Sequence, residues 1–100
     1  MRPIMFIKLV LVGVAIAFSS LAFAGNYDDA KPSVRDACSR YFSMLEKEGL
    51  DSYEINKIFD EAFVTCYVLT RENGGSHKMA KDNVVGYMQV KLDLIKLMKK

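Results

Sequence analysis

Few residues of the chain carry side chains that could do catalytic or metal chemistry. The residues that come first into question are the histidine His77, the cysteines Cys38 and Cys66, and the adjacent acidic pair Asp60–Glu61. His77 follows Gly74-Gly75-Ser76, a setting typical of a solvated loop side chain. Asp60 and Glu61 are neighbours on a predicted helix, so they point about 100° apart and cannot share a proton. We therefore expect no enzyme, no cofactor and no metal site.

Residues 1–24 have the three zones of a secretory signal peptide. Arg2 and Lys8 make the start positive, and the run from Leu9 to Ala24 carries no charge. This run ends in Ala22-Phe23-Ala24, the small-x-small pattern that a signal peptidase accepts. We predict cleavage after Ala24 and a periplasmic location for the mature protein. Residues 25–100 should then form a single helical domain.

An uncleaved membrane anchor is the alternative interpretation of this leader. The uncharged run from Leu9 has 16 residues, which is short of the roughly 20 that span a bilayer. A count from Ile4 reaches 21 residues, but Lys8 interrupts it. No cysteine lies near the cleavage site, so a lipid anchor is not expected. We expect no stable membrane span after cleavage.

Motif and charge argue against phosphate and nucleic-acid ligands. Asn73-Gly74-Gly75 lacks the preceding strand and the Lys-Ser/Thr of a phosphate-binding loop. The chain has 14 Lys and Arg residues against 12 Asp and Glu, and loss of Arg2 and Lys8 with the leader leaves twelve of each sign. Because phosphate binding needs a clear positive excess, this balance argues against a nucleic-acid partner.

Hydrophobic periodicity predicts three helices and no strand in the mature chain. Asp51 and Glu54 are spaced as a capping box at the start of the second helix. The other expected N-caps are Ser33, and Ser76 or Asp82. Residues 25–31 are polar, and we predict a frayed start. The predicted fold class is all-α, a small three-helix bundle with one disulfide after a cleaved signal peptide, with helices over about 33–48, 51–71 and 79–99.

The compartment and the spacing of the cysteines predict the disulfide. A domain this small is only marginally stable without a covalent cross-link or a partner. An even cysteine count after a signal peptide is typical of a disulfide. Cys38 and Cys66 lie on the apolar faces of an antiparallel hairpin, offset by roughly 6 Å along the axis. A Cys38–Cys66 bond would stabilise the fold by about 3–4 kcal/mol. Two buried free thiols are the alternative.

The predicted core face of the second helix is one continuous stripe, with a small apolar pair on its back. The stripe consists of Ile55, Ile58, Phe59, Ala62, Phe63, Cys66, Leu69 and Thr70, and the pair is Val64 and Val68.

The third helix has more apolar surface than a small bundle needs. Its central face consists of Val84, Val85, Met88, Leu92, Ile95 and Met98, and a second stripe beside it consists of Tyr87, Val90, Leu94 and Leu97. Together they span about 240°, against the 100° or more of a helix packed on one core. We predict that the second stripe is a homodimer or partner interface. Packing of residues 87–97 in a deep groove of the same chain is the alternative.

A signal peptide ending in Ala22-Phe23-Ala24 and a small helical body with Cys38 and Cys66 on two helices form a recognisable layout. It resembles the periplasmic immunity proteins that neutralise peptidoglycan amidases delivered by type VI secretion. The resemblance implies an exported binding and inhibitory protein without catalysis, which plugs the active-site cleft of a cell-wall hydrolase. The functional ligand would then be a protein partner.

The same layout is similar to the acid-stress chaperones of the periplasm. These are small helical dimers with one disulfide that expose apolar surface at low pH. In that family the cysteines join the ends of the domain, whereas Cys38 and Cys66 enclose 27 residues. Protonation of the carboxylates would leave a strongly positive chain, which could split a dimer. An accessory subunit of an envelope assembly is a third alternative.

Overall fold

The structure, a computed structural model, describes residues 25–99, so the predicted leader and its cleavage site lie outside the described residues. Within this range a 3-10 turn, Gly25–Ala30, precedes four helices. They are α1 (Lys31–Ala37), α2 (Ser39–Lys47), α3, and α4 (His77–Met98). The rod α3 has an α-helical part Ser52–Ala62, a π-helical part Phe63–Val68 and a last turn Leu69–Glu72. The predicted all-helical class is confirmed.

The predicted three-helix bundle is wrong, because the helix expected over residues 33–48 is two helices. The break falls at Cys38, whose backbone (φ −99°, ψ 4°) leaves the α-helical region while its N–H donates to Arg35 O at 3.0 Å. No proline or glycine marks this position, so the apolar periodicity runs through the break unchanged. Four residues at helical spacing stay buried on its two sides, namely Val34, Cys38, Tyr41 and Leu45.

Side-chain caps explain where the two long helices begin. The predicted capping box of α3 is confirmed, since Glu54 N–H donates to Asp51 Oδ1 at 2.8 Å and Asp51 N–H donates to Glu54 Oε1 at 3.0 Å. Ser76 caps α4, with its Oγ accepting from Met79 N–H at 3.1 Å. The predicted Ser33 cap is wrong, because α1 begins before it and has no side-chain cap.

The core face of α3 is an aromatic ladder with a four-residue spacing. Phe59, Phe63 and Tyr67 are buried, and successive ring centroids lie 6.2 Å and 4.9 Å apart. With 3.6 residues per turn, an i, i+4 ladder drifts about 40° around an α-helix at each step. The π-helical part has more residues per turn, so it compensates for this drift and keeps Tyr67 on the core. Val68, expected on the back of the helix, is also fully buried.

The same register explains why the predicted disulfide is wrong. Cys38 and Cys66 are free thiols. The prediction required both to face the same core, but the π-helical part buries Tyr67 and Val68 and turns Cys66 to a half-buried position. There its sulfur lies 3.8 Å from Thr65 Oγ1. Packing between the helices, and not a disulfide, therefore stabilises this domain.

The helix α4 supplies the central column of the core. Its Ala80, Val84, Met88 and Leu92 are buried among the aromatic residues of α3 and the apolar residues of α1 and α2. Tyr41 of α2 donates to Gln89 Oε1 at 2.7 Å, which fixes α2 beside this column. Neither α4 nor any other helix in residues 25–99 is long and apolar enough to cross a membrane.

Candidate functional site

The four residues predicted as an interface lie together on the outward side of α4. Steps of three and four residues return to the same side of a helix, so Tyr87, Val90, Leu94 and Leu97 form one row. Val90 is 57% exposed, Leu94 48% and Leu97 62%, while Tyr87 is half-buried. We call these four residues the outer stripe. They occupy the side of α4 that faces away from Met88 in the core column.

Packing within the described chain leaves the outer stripe open. A deep groove would bury residues 87–97 on both sides of α4, whereas Val90, Leu94 and Leu97 keep about half of their surface or more in contact with solvent. One exposed leucine is ordinary on a protein surface. A row of exposed apolar side chains along one helix is typical of an interaction surface.

Tyr87 is fixed at the edge of the outer stripe that faces α3. Its hydroxyl donates to Glu61 Oε2 at 3.5 Å, and Lys91 Nζ lies 5.7 Å from its ring centroid. Burial, and then the negative charge of Glu61, raises the pKa of Tyr87. The phenol therefore stays neutral at physiological pH, and its ring offers a fixed apolar edge beside Val90.

Met98 extends the exposed apolar surface at the C-terminal end of α4. The helical pattern placed it on the central face with Met88 and Leu92, but it is 78% exposed. The helix reaches the edge of the bundle here, where the Lys99 ammonium donates to Glu48 O and lies 3.7 Å from Glu48 Oε1, just after α2 ends. At this edge of the bundle no apolar core residue covers Met98.

A shallow groove lies at the other end of the same helix. Met79 and Asn83 are the α4 residues in its wall, and helical spacing puts them on the side of the outer stripe. Asn83 Nδ2 donates to Thr70 Oγ1 at 3.0 Å, which joins α4 to α3. The groove has a volume of about 500 Å³ and an uncharged lining of Leu69, Thr70, Asn73, Gly74, Gly75, Met79 and Asn83.

Two glycines shape the turn beside this groove. Gly74 has φ +90°, and its N–H donates to Arg71 O at 3.0 Å. Gly75 N–H donates to Thr70 O at 2.8 Å, which completes a Schellman motif at the end of α3. A Cβ on Gly75 would stand 2.4 Å from Thr70 Cγ2, so only glycine fits there. The groove is therefore a consequence of how closely the turn approaches α3.

A second cluster surrounds His77, which the sequence assigned to a solvated loop. His77 is instead the first residue of α4 and is half-buried, with Nδ1 2.8 Å from the hydroxyl of the buried Tyr67. Tyr27 meets the Tyr67 ring edge-on at 5.9 Å and donates its hydroxyl to Glu72, the main cause of the raised pKa of Tyr27. The predicted frayed start is therefore wrong, because the 3-10 turn is anchored on the junction of α3 and α4.

These polar groups and the two thiols have the geometry of structural groups. Burial raises the pKa of the Cys38 thiol to about 11 and also raises that of Cys66. Reactive cysteines have the opposite shift, so both thiols stay protonated and unreactive at neutral pH. Across residues 25–99, no three histidine, cysteine or acidic side chains are grouped as metal ligands.

Relationships to known proteins do not extend this description. No protein-family model, no curated protein and no solved structure matches the chain. The outer stripe is the candidate site that the described residues present. The wide apolar arc of α4 indicated the outer stripe in the sequence. No comparable pattern indicated the groove, the Tyr67–His77 pair or the contact of Tyr27 with Tyr67.

Proposed function

We propose that the chain is an exported periplasmic protein that binds and inhibits a protein partner without catalysis. In its sharpest form it is an immunity protein that neutralises a cell-wall hydrolase. The observation that carries this proposal is the row of exposed apolar side chains Val90, Leu94 and Leu97 on one side of a well-packed helix.

The outer stripe supports protein binding through the surface it would remove from water. Complete burial of an aliphatic side chain is worth about 1.5–3 kcal/mol, so the exposed half of each residue is worth about 1 kcal/mol. Apolar residues at helical spacing on one side of a helix are the pattern of helix-in-groove recognition. Val90, Leu94 and Leu97 would enter an apolar groove of the partner, with Tyr87 at the rim.

The stripe is also rigid, which favours inhibition. Met88 and Leu92 anchor the opposite side of α4 in the core, and the Tyr41–Gln89 hydrogen bond fixes its middle. A surface that is ordered before binding loses little conformational entropy when a partner covers it. Such a surface suits an inhibitor that must occupy a cleft, and it equally suits a homodimer.

The decisive assay is titration of a hydrolase with the mature chain of residues 25–100. A peptidoglycan amidase of the class delivered by type VI secretion would digest purified peptidoglycan while released peptide is measured. We expect activity to fall linearly to zero at about one chain per enzyme. The matched variants are Leu94→Asp on the outer stripe, which should not inhibit, and Ser43→Asp on the exposed side of α2, which should. Full amidase activity at a large molar excess of chain, across the amidases of this class, would contradict the proposal.

An acid-stress chaperone is the second candidate, and two ion pairs favour it. Lys31 Nζ lies 3.0 Å from Asp60 Oδ1, and Lys99 Nζ lies 3.7 Å from Glu48 Oε1. Both link separate elements of the bundle through a carboxylate, and an ion pair requires the charged form of both partners. Protection of an unrelated client from aggregation at pH 2–3, without hydrolase inhibition at neutral pH, would favour this function over immunity.

A further inference from the structure

Nothing within the described chain explains why residue 86 is a glycine. It lies in the middle of α4, is exposed, and has a negative φ, so its backbone suits any residue. A Cβ added there would meet nothing within 4 Å. Glycine in a helix interior lowers stability relative to alanine. Gly86 lies at the edge of the outer stripe, where the missing side chain would let another backbone approach closely.

Four outward residues of α4 are arranged symmetrically about residue 88, two positions after Gly86. Met79 and Leu97 each lie nine residues from residue 88, and Gly86 and Val90 each lie two residues from it. All four fall within an arc of about 40°. A second α4 laid antiparallel across the first therefore brings Leu97 over Met79 and Val90 over Gly86. By two-fold symmetry each of these contacts occurs twice.

The groove fits this arrangement at the ends of the paired helices. Leu97 and Met98 are 62% and 78% exposed, and they would lie over the groove of the second copy. Met79, which is 55% exposed, belongs to the wall of that groove together with Leu69. The uncharged lining suits these apolar side chains, because no ionised group in the wall would lose water on burial.

Charge complementarity supports the same register. Asp82 and Lys96 lie on one flank of α4, about 40° apart around the helix axis. Their midpoint is residue 89, within one residue of the centre defined by the apolar pairs. In an antiparallel pair the same flanks of both helices face each other, so Lys96 of each copy faces Asp82 of the other, which Lys78 of its own chain already contacts at 3.0 Å. In a parallel pair the two flanks that carry Lys96 would lie on opposite sides of the interface, so Lys96 would not face Asp82.

We propose that a second copy of this chain covers the outer stripe, with the two α4 helices antiparallel and crossing near residue 88, where Gly86 of each copy lies against Val90 of the other. This inference rests on the assignment of the outer stripe as a binding surface under Proposed function. The dimer is the form of the free protein, and a hydrolase partner competes with the second copy for Val90, Leu94 and Leu97.

Cross-linking between introduced cysteines tests the orientation. Met79→Cys and Leu97→Cys would each be made in a Cys66→Ser background, leaving the buried Cys38. In the antiparallel pair residue 79 lies beside residue 97 of the other copy, whereas two copies of either residue are about 27 Å apart along the axis. We expect a disulfide only when the two variants are mixed and oxidised together. Cross-linking of either variant with itself, or no cross-link in the mixture, would overturn the proposal.

Gly86→Ala tests the crossing point through two effects of opposite sign. The added methyl group should raise the thermal midpoint of the monomer, because alanine favours a helix. It should also weaken self-association about tenfold or more, because it separates the two backbones. Glu46→Ala on the exposed side of α2 is the control and should leave association unchanged. Unaltered association of Gly86→Ala by sedimentation equilibrium would refute the crossing. A chain that stays monomeric yet inhibits the amidase would refute the dimer and leave the proposed function standing.

Discussion

Replacement of Leu94 by aspartate is the substitution that best separates an interface from a core. Leu94 lies in the middle of the outer stripe and is 48% exposed, so about half of its surface is left for a partner to cover. Leu94→Asp places a carboxylate there without touching the buried Leu92 or Met88 in the core column. The variant should therefore stay folded and lose its partner.

The expected loss of affinity follows from this exposure. Covering the open half of a leucine is worth about 1 kcal/mol, and an unpaired polar group in the interface costs a further 1–3 kcal/mol or so. A total of at least about 2 kcal/mol corresponds to roughly a 30-fold increase in Kd. The monomer itself should lose only about 1 kcal/mol, because half of the side chain already packs within the chain.

Sedimentation equilibrium and circular dichroism decide this prediction together. We expect a helical protein of smaller mass, while Ser43→Asp, which adds the same charge on α2, keeps the parental mass. Loss of helicity in Leu94→Asp would show that the residue belongs to the core. An unchanged mass with unchanged helicity would show that Leu94 faces solvent in every state. Either result refutes the interface.

Two further predictions concern stability and pH. Asp51→Ala removes the capping box of α3 and should lower the free energy of unfolding by about 1 kcal/mol in urea titrations, whereas an unchanged midpoint would mean that the cap contributes nothing. Burial raises the pKa of Cys38 to about 11 from an ordinary value of 9.0. The thiol of the unfolded chain therefore ionises first, and stability should fall as the pH rises from about 9 to 11. Cys38→Ala should show a shallower fall over this range, and an equal slope in both proteins would refute the assignment.

Much of the helical architecture follows from local signals in the sequence. The Asp51–Glu54 spacing predicted a capping box that the structure contains. The three- and four-residue steps of Tyr87, Val90, Leu94 and Leu97 put them on one side of α4, where the structure leaves Tyr87 half-buried and exposes the other three. These features depend on a few neighbouring residues, so periodicity and capping rules suffice to find them.

The remaining features depend on contacts between distant residues. The break at Cys38 has no proline or glycine, so no local signal in the sequence separates α1 from α2. The disulfide prediction assumed a regular α-helix, whereas the π-helical part buries Tyr67 and leaves Cys66 half-buried at the edge of the core. His77 looked solvated because it follows Gly74-Gly75-Ser76, and its contact with Tyr67 depends on how α3 and α4 pack.

Methionine oxidation tests most directly whether the outward face of α4 is an interface. Met79 and Met98 are 55% and 78% exposed on this helix, Met44 is 39% exposed on α2, and Met88 is fully buried. Peroxide treatment followed by peptide mass spectrometry gives the oxidation rate of each residue. With rising chain concentration, or on addition of an inhibited amidase, oxidation of Met79 and Met98 should slow while Met44 keeps its rate and Met88 stays protected. Constant rates at Met79 and Met98 under both conditions would contradict the account.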